Sequence, residues 1–366
     1  MLKPADIEEA ENSDADENSP RVGLMISPHL RICLIGDLSE PTDEGMKKVA
    51  HKFALTLSRN HEVLPLHVKS VFLPGFWLRL REFRPEIIFY VGGPSLISFI
   101  IARAACIYCA LTVGKRPKVV IFALHPLLPF VLEHASTLIQ PDLILVQSYH
   151  SEKRFRKLRL RTRFLPVGVD TGEFTPVPLF EKTRLRQKYG ISQNEFVVLH
   201  VGSVRKNRGL EILIRVQKNE GNRVLVIGST SMPMDNSVRL ELIASGCLVW
   251  RRHFKEIEEL YQLADLYVFP VVDKLGSVEL PLSVIEAMAC NLPVVLTKFG
   301  ALPRILEEKE GLVFVNEIDD VPTRIEQIKN EDLIIRTREK ITPYSWENVT
   351  QSLIECFYQV VEEQTR

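Results

Sequence analysis

Residues 265–295 read DLYVFPVVDKLGSVELPLSVIEAMACNLPVV, and the order of parts in this stretch decides the fold. The apolar run Leu266-Tyr267-Val268-Phe269 lacks the polar alternation of a half-buried strand, so it reads as a strand covered on both faces. Pro281 and Ser283 mark the start of a short helix that carries Glu286 in its first turns. Asn291 stands just past the helix, where a left-handed residue is wanted. Pro293-Val294-Val295-Leu296 is the next strand. Unpaired N–H groups at such a helix start, at Leu282 and Ser283, make a site for a diphosphate. A nearby acid such as Glu286 is suited instead to accept hydrogen bonds from sugar or ribose hydroxyls.

The same alternation of apolar strand and helix runs outward in both directions. Toward the N-terminus, the strands are 31–36, 61–66, 87–91, 119–123 and 143–146, with helices over 45–58, 76–83 and 95–113. After a Pro- and Gly-bearing stretch, 166–178, a second series begins with 196–201, 224–227 and 248–250 and leads into the opening segment. Continuous apolar strands separated by helices argue two parallel sheets, each covered on both faces. The expected architecture is α/β, with two Rossmann-like domains at 31–175 and 176–345. Ligands in open parallel sheets sit beyond the carboxyl ends of the strands, so two facing sheets share one interdomain cleft.

Composition agrees with two globular domains. The chain has 366 residues, 46 basic and 46 acidic side chains and 46% hydrophobic content, which excludes fibres and wholesale disorder. The charges are unevenly placed: Met1 to Pro20 holds seven acids and one lysine, giving 1 − 7 = −6 and leaving 45 − 39 = +6 for the rest. So little apolar surface accompanies those acids that residues 1–30 are expected to form a disordered acidic tail rather than a targeting segment. Six scattered cysteines in apolar segments read as reduced core thiols of a cytoplasmic protein. Cys106 and Cys109 have metal-site spacing but no second pair or histidine partner, so no metal site is expected there. The most apolar window, Ser95 to Val113, is interrupted by Arg103 and is expected to be a buried helix. No HExxH, Walker lysine loop or GxGxxG appears, which counts against a zinc hydrolase, a P-loop NTPase and a dinucleotide oxidoreductase.

Glu286-Ala287-Met288-Ala289 followed by Pro293-Val294-Val295 resembles the signature of the retaining GT-B-fold glycosyltransferases of family four. Further stretches are similar to that family in the right order. They are Arg84-Pro85-Glu86-Ile87-Ile88, Pro166-Val167-Gly168-Val169-Asp170 with Phe174-Thr175-Pro176, and Ser345-Trp346-Glu347, which opens a last helix over 346–366. The resemblance implies a GT-B fold whose C-terminal helix crosses back to the first domain. It also implies a metal-independent, cofactor-free transfer of a sugar from a nucleotide-diphosphate donor to an acceptor hydroxyl. By it, Glu286 binds the ribose, Gly45 lets backbone approach the donor closely and His125 lies near the donor sugar, where unaided it would read as a structural histidine. The family's first acid falls on Val278; Glu279, one place off, either substitutes for it or the role is lost. At the pyrophosphate, Arg208 stands where the family has lysine and keeps its charge with bidentate geometry. Ser203 replaces the family's arginine, and either Arg205 or Lys206 takes over its task.

Two readings compete with a transferase: a nucleotide-sugar-binding protein without turnover, and a GT-B-like epimerase or phosphorylase. The basic run Lys153 to Arg163 and the mixed segment Phe72 to Arg81 read as a solvated helix face and a core helix. The alternative is peripheral association with an anionic membrane that holds a lipid-linked acceptor. Nucleic acid is not an expected partner, because an isolated basic run supplies only non-specific contacts.

Overall fold

The computed structural model describes residues 29–41, 44–126 and 139–363. The expected acidic tail therefore lies outside the described residues except for His29 and Leu30. Leu30 is buried and its N–H donates to His61 Nδ1 at 3.3 Å, which ties it to the first domain.

Two parallel sheets carry the chain. The first holds β1 (Arg31–Gly36), β2 (Glu62–His67), β3 (Ile87–Gly93), β4 (Lys118–Ala123), β5 (Leu143–Val146) and β6 (Thr162–Phe164), in the spatial order β2-β1-β3-β4-β5-β6. The second holds β7 (Phe196–Val201), β8 (Asn222–Ile227), β9 (Leu248–Trp250), β10 (Leu266–Phe269), β11 (Val294–Thr297) and β12 (Leu312–Val315), in the order β12-β11-β10-β7-β8-β9. Strand order reverses direction between β1 and β3 and again between β7 and β10. Loops at such reversals diverge and leave a crevice, which fixes where a ligand enters each sheet. This is the two-domain α/β architecture expected from the unbroken apolar strands.

Helices Pro74–Phe83, Leu96–Val113 and Tyr149–Lys157 cover the outer face of the first sheet, burying Phe76, Leu80, Phe99, Ala102, Ala105 and Phe155 against it. Leu96–Val113 is not the wholly buried helix expected. Its inner side is core, whereas Ile97, Ile100, Ile107 and Leu111 are exposed. All six cysteines are free and buried.

The opposite face of the first sheet packs on helix Gly45–Leu57 and on the last helix, Trp346–Glu362, which starts after the second domain and returns to the first. The Phe53 ring meets Trp346 at 5.2 Å and Phe89 at 5.5 Å, while Phe89 meets Phe357 at 5.2 Å, all edge to face. Such pairs stabilise by about 0.5–1.5 kcal/mol each beyond their buried area. Ser345 caps the helix, accepting from Asn348 N–H at 3.2 Å. The chain crosses between domains twice, and the two crossings touch: Val169 N–H donates to the Tyr344 carbonyl at 3.0 Å and Trp346 N–H to the Val169 carbonyl at 3.2 Å. Arg338 adds hydrogen bonds to the carbonyls of Thr171 at 2.8 Å and Phe174 at 2.7 Å. Gly168 is required by this contact, because a Cβ there would lie 2.8 Å from Trp346 Cα.

His200 on β7 ties the two strands flanking the second switch point. It is fully buried, its Nδ1 donating to the Val268 carbonyl of β10 at 3.0 Å. Burial, with Arg208 nearby, pushes its pKa down from 6.5 to about 3.

Two outcomes follow for stability. Gly168→Ala must push the returning helix away and should lower the unfolding free energy by about 1–3 kcal/mol, measurable as a shifted urea midpoint. His200 has a folded pKa below its unfolded one, so its contribution is complete above pH 6.5 and is lost as pH falls toward 3. In that window it should cost up to about 1.4 kcal/mol per pH unit. Urea midpoints measured from pH 7 to pH 5 should fall less steeply in His200→Gln than in the parent.

Candidate active site

The carboxyl ends of both sheets face one cleft between the domains, a cavity of about 750 Å³. From the first domain it is lined by Gly45, Lys48 and Lys52 on helix Gly45–Leu57 and by His125 just after β4. From the second it is lined by the turn after β7 with Arg205 and Arg208, by Gly228 and Ser229 after β8, and by residues 275–278, 281–283 and 286 after β10.

The turn after β7 is built around Arg208. A short 3-10 turn, Lys206–Arg208, ends on Gly209 at φ 65°, and the reversal folds the arginine back beneath the strand end. The turn's phase separates two basic residues that sequence left open: Arg205 is half-buried and lines the cleft, whereas Lys206 points to solvent and does not line it. Arg208 is buried, donates from Nη1 to the Gly276 carbonyl at 2.8 Å and lies over the Phe269 ring. Its Nε has no partner among the described residues. Burial, and secondarily Arg205, lower its pKa to about 10, so it remains protonated at neutral pH. A buried cation without a carboxylate partner is costly alone and gains most from an anion in the cleft.

Helix Leu282–Ala289 starts behind Pro281 with no side-chain cap. Its first residues, Leu282 and Ser283, line the cleft, so the dipole's positive end faces the same space as Arg208. Ser283 is held by Tyr267, whose hydroxyl donates to Ser283 Oγ at 2.7 Å. Asn291 ends this segment at φ 56°, the left-handed conformation expected from its sequence position.

Glu286 is buried on that helix with both carboxylate oxygens engaged. Tyr261 Oη donates to Oε2 at 2.8 Å, and Lys48 Nζ, from the opposite domain, lies 2.5 Å from Oε1. Burial and the neighbouring Glu286 push the Tyr261 phenol well above its ordinary value, so it stays a donor. Lys48 also sits over the Phe174 ring at 4.9 Å. Lys52, one turn on, pairs with Asp170 at 2.9 Å and Glu173 at 3.5 Å. These lysines escaped sequence reading because their partners lie far away in the chain. An apolar-faced helix with basic residues gives no local sign that it meets a carboxylate 238 positions later.

His125 is at the cleft wall, and its Nδ1 has no partner among the described residues. Burial lowers its pKa, against the opposing effect of a hydrogen bond with the Ser277 backbone, so the ring is neutral at pH 7. Gly45 opens its helix beside Val278; a Cβ there would be 3.8 Å from Val278 Cγ2, an ordinary contact.

Glu279, for which the sequence left open either a place at the donor sugar or a lost role, is not among the residues that line this space. Its side chain turns into the seam between domains, where Oε1 accepts from Ser148 Oγ at 2.6 Å and Ser151 Oγ at 2.5 Å, and Oε2 from Ser148 N–H at 3.3 Å. Its backbone is also committed: Glu279 N–H donates to the Leu124 carbonyl at 2.8 Å and its carbonyl accepts from Ala301 N–H at 2.7 Å. With Glu279 rotated away, it is Val278 that lines the cleft, and the position is apolar. Arg304 closes the same seam, its guanidinium over the rings of Tyr149 and Phe164 and 2.7 Å from Glu152. The seven residues brought together are thus Gly45, His125, Arg205, Arg208, Leu282, Ser283 and Glu286. Lys206 and Glu279 are not among them.

Comparison with known proteins places this geometry. The family described as "Glycosyl transferases group 1" matches residues 181–347. An alpha-galactosylglucosyldiacylglycerol synthase from Streptococcus pneumoniae is 28% identical over 162 residues, covering 41% of each chain. The chain spans about half the length of the curated relatives it matches. Among solved structures, Anabaena HepE in complex with UDP and glucose superposes with a TM-score of 0.69 at 14% identity, over 90% of this chain and 100% of that one. Sucrose-phosphate synthase from Thermosynechococcus elongatus gives 0.71 at 16% identity, over 91% and 99%. The chain therefore has the two-domain GT-B fold, and its second domain, with the Arg208 turn and the Glu286 helix, carries the match to group 1 glycosyl transferases.

Proposed function

We propose that this protein is a glycosyltransferase that moves a sugar from a nucleotide-diphosphate donor to an acceptor hydroxyl. One observation carries the reading: Arg208, Arg205 and the uncapped start of helix Leu282–Ala289 converge on one end of the cleft, with buried Glu286 beside them. A diphosphate answers the cations and the helix dipole, while the carboxylate suits ribose hydroxyls. HepE, one of the structural neighbours, is solved with UDP-glucose, which supports a nucleotide sugar as co-substrate here.

In the proposed reaction, the bond from anomeric carbon to diphosphate breaks and negative charge collects on the leaving phosphate oxygens. Arg208, preorganised by the Gly276 carbonyl and Phe269, meets that charge without reorganising, with Arg205 beside it. Those cations take the charge-neutralising role, and we assign the transfer as metal-independent. His125 and Gly45 lie toward the sugar, His125 neutral and able to accept a hydroxyl proton bond at Nδ1. Val278 leaves that end without a carboxylate nucleophile; in the retaining transfer we propose, the acceptor oxygen attacks the face from which the diphosphate departs, and its hydroxyl proton passes to the leaving phosphate oxygen as the O–H bond breaks. Lys48 holds Glu286 Oε1, so a ribose bound to Glu286 must share that oxygen with it or displace it.

A second reading rests on the same Val278. A cleft that binds donor and lacks the acid at its sugar end would suit a binding protein without turnover.

Phosphorus NMR of the purified chain with UDP-, GDP- and ADP-sugars, beside a binding titration, separates the two. Release of one nucleoside diphosphate, undiminished by EDTA and with anomeric configuration kept in the product, is expected. Binding without release, even with a lipid extract added as acceptor source, would favour the binding protein. Glu286→Gln and Arg208→Ala each remove a charge-assisted contact of about 1.5–3 kcal/mol and should weaken donor affinity by roughly ten- to a hundred-fold. Donor affinity unchanged in either variant would sink its assignment.

A further inference from the structure

Helix Leu96–Val113 is the most apolar of the described helices, and it carries apolar residues on the side away from the sheet as well as toward it. Ile97, Ile100, Ala104, Ile107 and Leu111 recur at three- and four-residue steps, so they form one stripe about 21 Å long. Leu111 is 81% exposed and Ile97 66%. On the neighbouring segment Phe72 is 88% exposed, with Leu73 and Leu78 also bare. Trp77 meets Tyr108 at 5.2 Å and joins the two helices. Both pack on the same face of the first sheet, so both outward sides belong to one side of the molecule. Apolar surface of this extent marks a binding surface rather than chance exposure.

The charges nearby select the occupant. Lys69, Arg79 and Arg81 are exposed and have no ion pair among the described residues, against a single acid on helix Pro74–Phe83, Glu82. Helix Tyr149–Lys157, on the same sheet face, adds exposed Lys153 and Lys157. Bulky apolar side chains among unpaired cations match a surface with an apolar interior and an anionic skin. A second copy docked about a two-fold axis would bring the same arginines together, an unfavourable arrangement. Spanning is excluded by the helix's inner side, where Phe99, Ala102, Ala105, Cys106 and Cys109 are part of the protein core.

We propose that this face, formed by helix Leu96–Val113 and segment 72–81, docks the first domain onto an anionic lipid bilayer, lying in its interface without crossing it. The docking is independent of the assignment of the cleft, and none of its residues touches that cleft.

The test is flotation of the full chain with phosphatidylcholine vesicles, with and without phosphatidylglycerol. The parent should float with the anionic vesicles and lose most of that binding at high salt. Ile107→Glu and Leu111→Glu together should weaken binding at least about tenfold, and Arg79→Glu with Arg81→Glu should remove the preference for anionic lipid. Thermal midpoint and donor affinity should stay unchanged in both pairs. Parent protein that stays unbound, or variants that float like the parent, would overturn the proposal. So would a parent dimer, seen by sedimentation without vesicle binding, that the Leu111→Glu change dissolves.

Discussion

A carboxylate buried between two domains must be answered on both sides, and Glu279 meets that demand with hydroxyls from the opposite domain. Ser148 and Ser151 occupy its lone pairs, while its own backbone bonds to Leu124 and Ala301. Burial raises the carboxyl above its ordinary value and the serine bonds work against that rise. Pulling the domains apart at this point strands a polar group that has already lost its water. These contacts hold the Val278 loop of the second domain against the Ser148 and Leu124 segments of the first, beside the cleft.

The seam also explains why the two walls of the cleft differ in character. The second domain contributes cations and a helix start that no carboxylate of its own neutralises. The first contributes Lys48 and Lys52, already paired with Glu286 and Asp170. One wall thus waits for an anion, and the other regulates the acid that stands beside it. Tyr261 and Tyr267 underpin the first wall from inside the core, each phenol held protonated by burial and each donating to the group that faces the ligand.

Much of this was legible in residue order. Continuous apolar strands gave the parallel sheets, and Asn291 after the Glu286 helix marked a reversal that is local by nature. Interactions between distant segments were not legible. Lys48 looks like any surface lysine until Glu286 is folded beside it. The phase of one short turn decides between Arg205 and Lys206, and sequence carries no phase. One residue separates Val278, which lines the cleft, from Glu279, whose carboxylate is in the seam, and the bend that parts them has no signature in the sequence. Likewise, a helix apolar all round declares that it must be covered but does not say which side the protein covers.

The contact between the two interdomain crossings constrains movement as well as stability. Val169 and Ser345 lie in one short backbone bridge, so the domains are joined at a single locality rather than at two separated points. Bodies linked in this way can swing about that locality while its hydrogen bonds survive, but sliding or twisting would tear them. Any opening that keeps these hydrogen bonds must move the far edge of the cleft furthest and the edge beside Trp346 least, because the crossing segment and the returning helix are held against each other at Gly168.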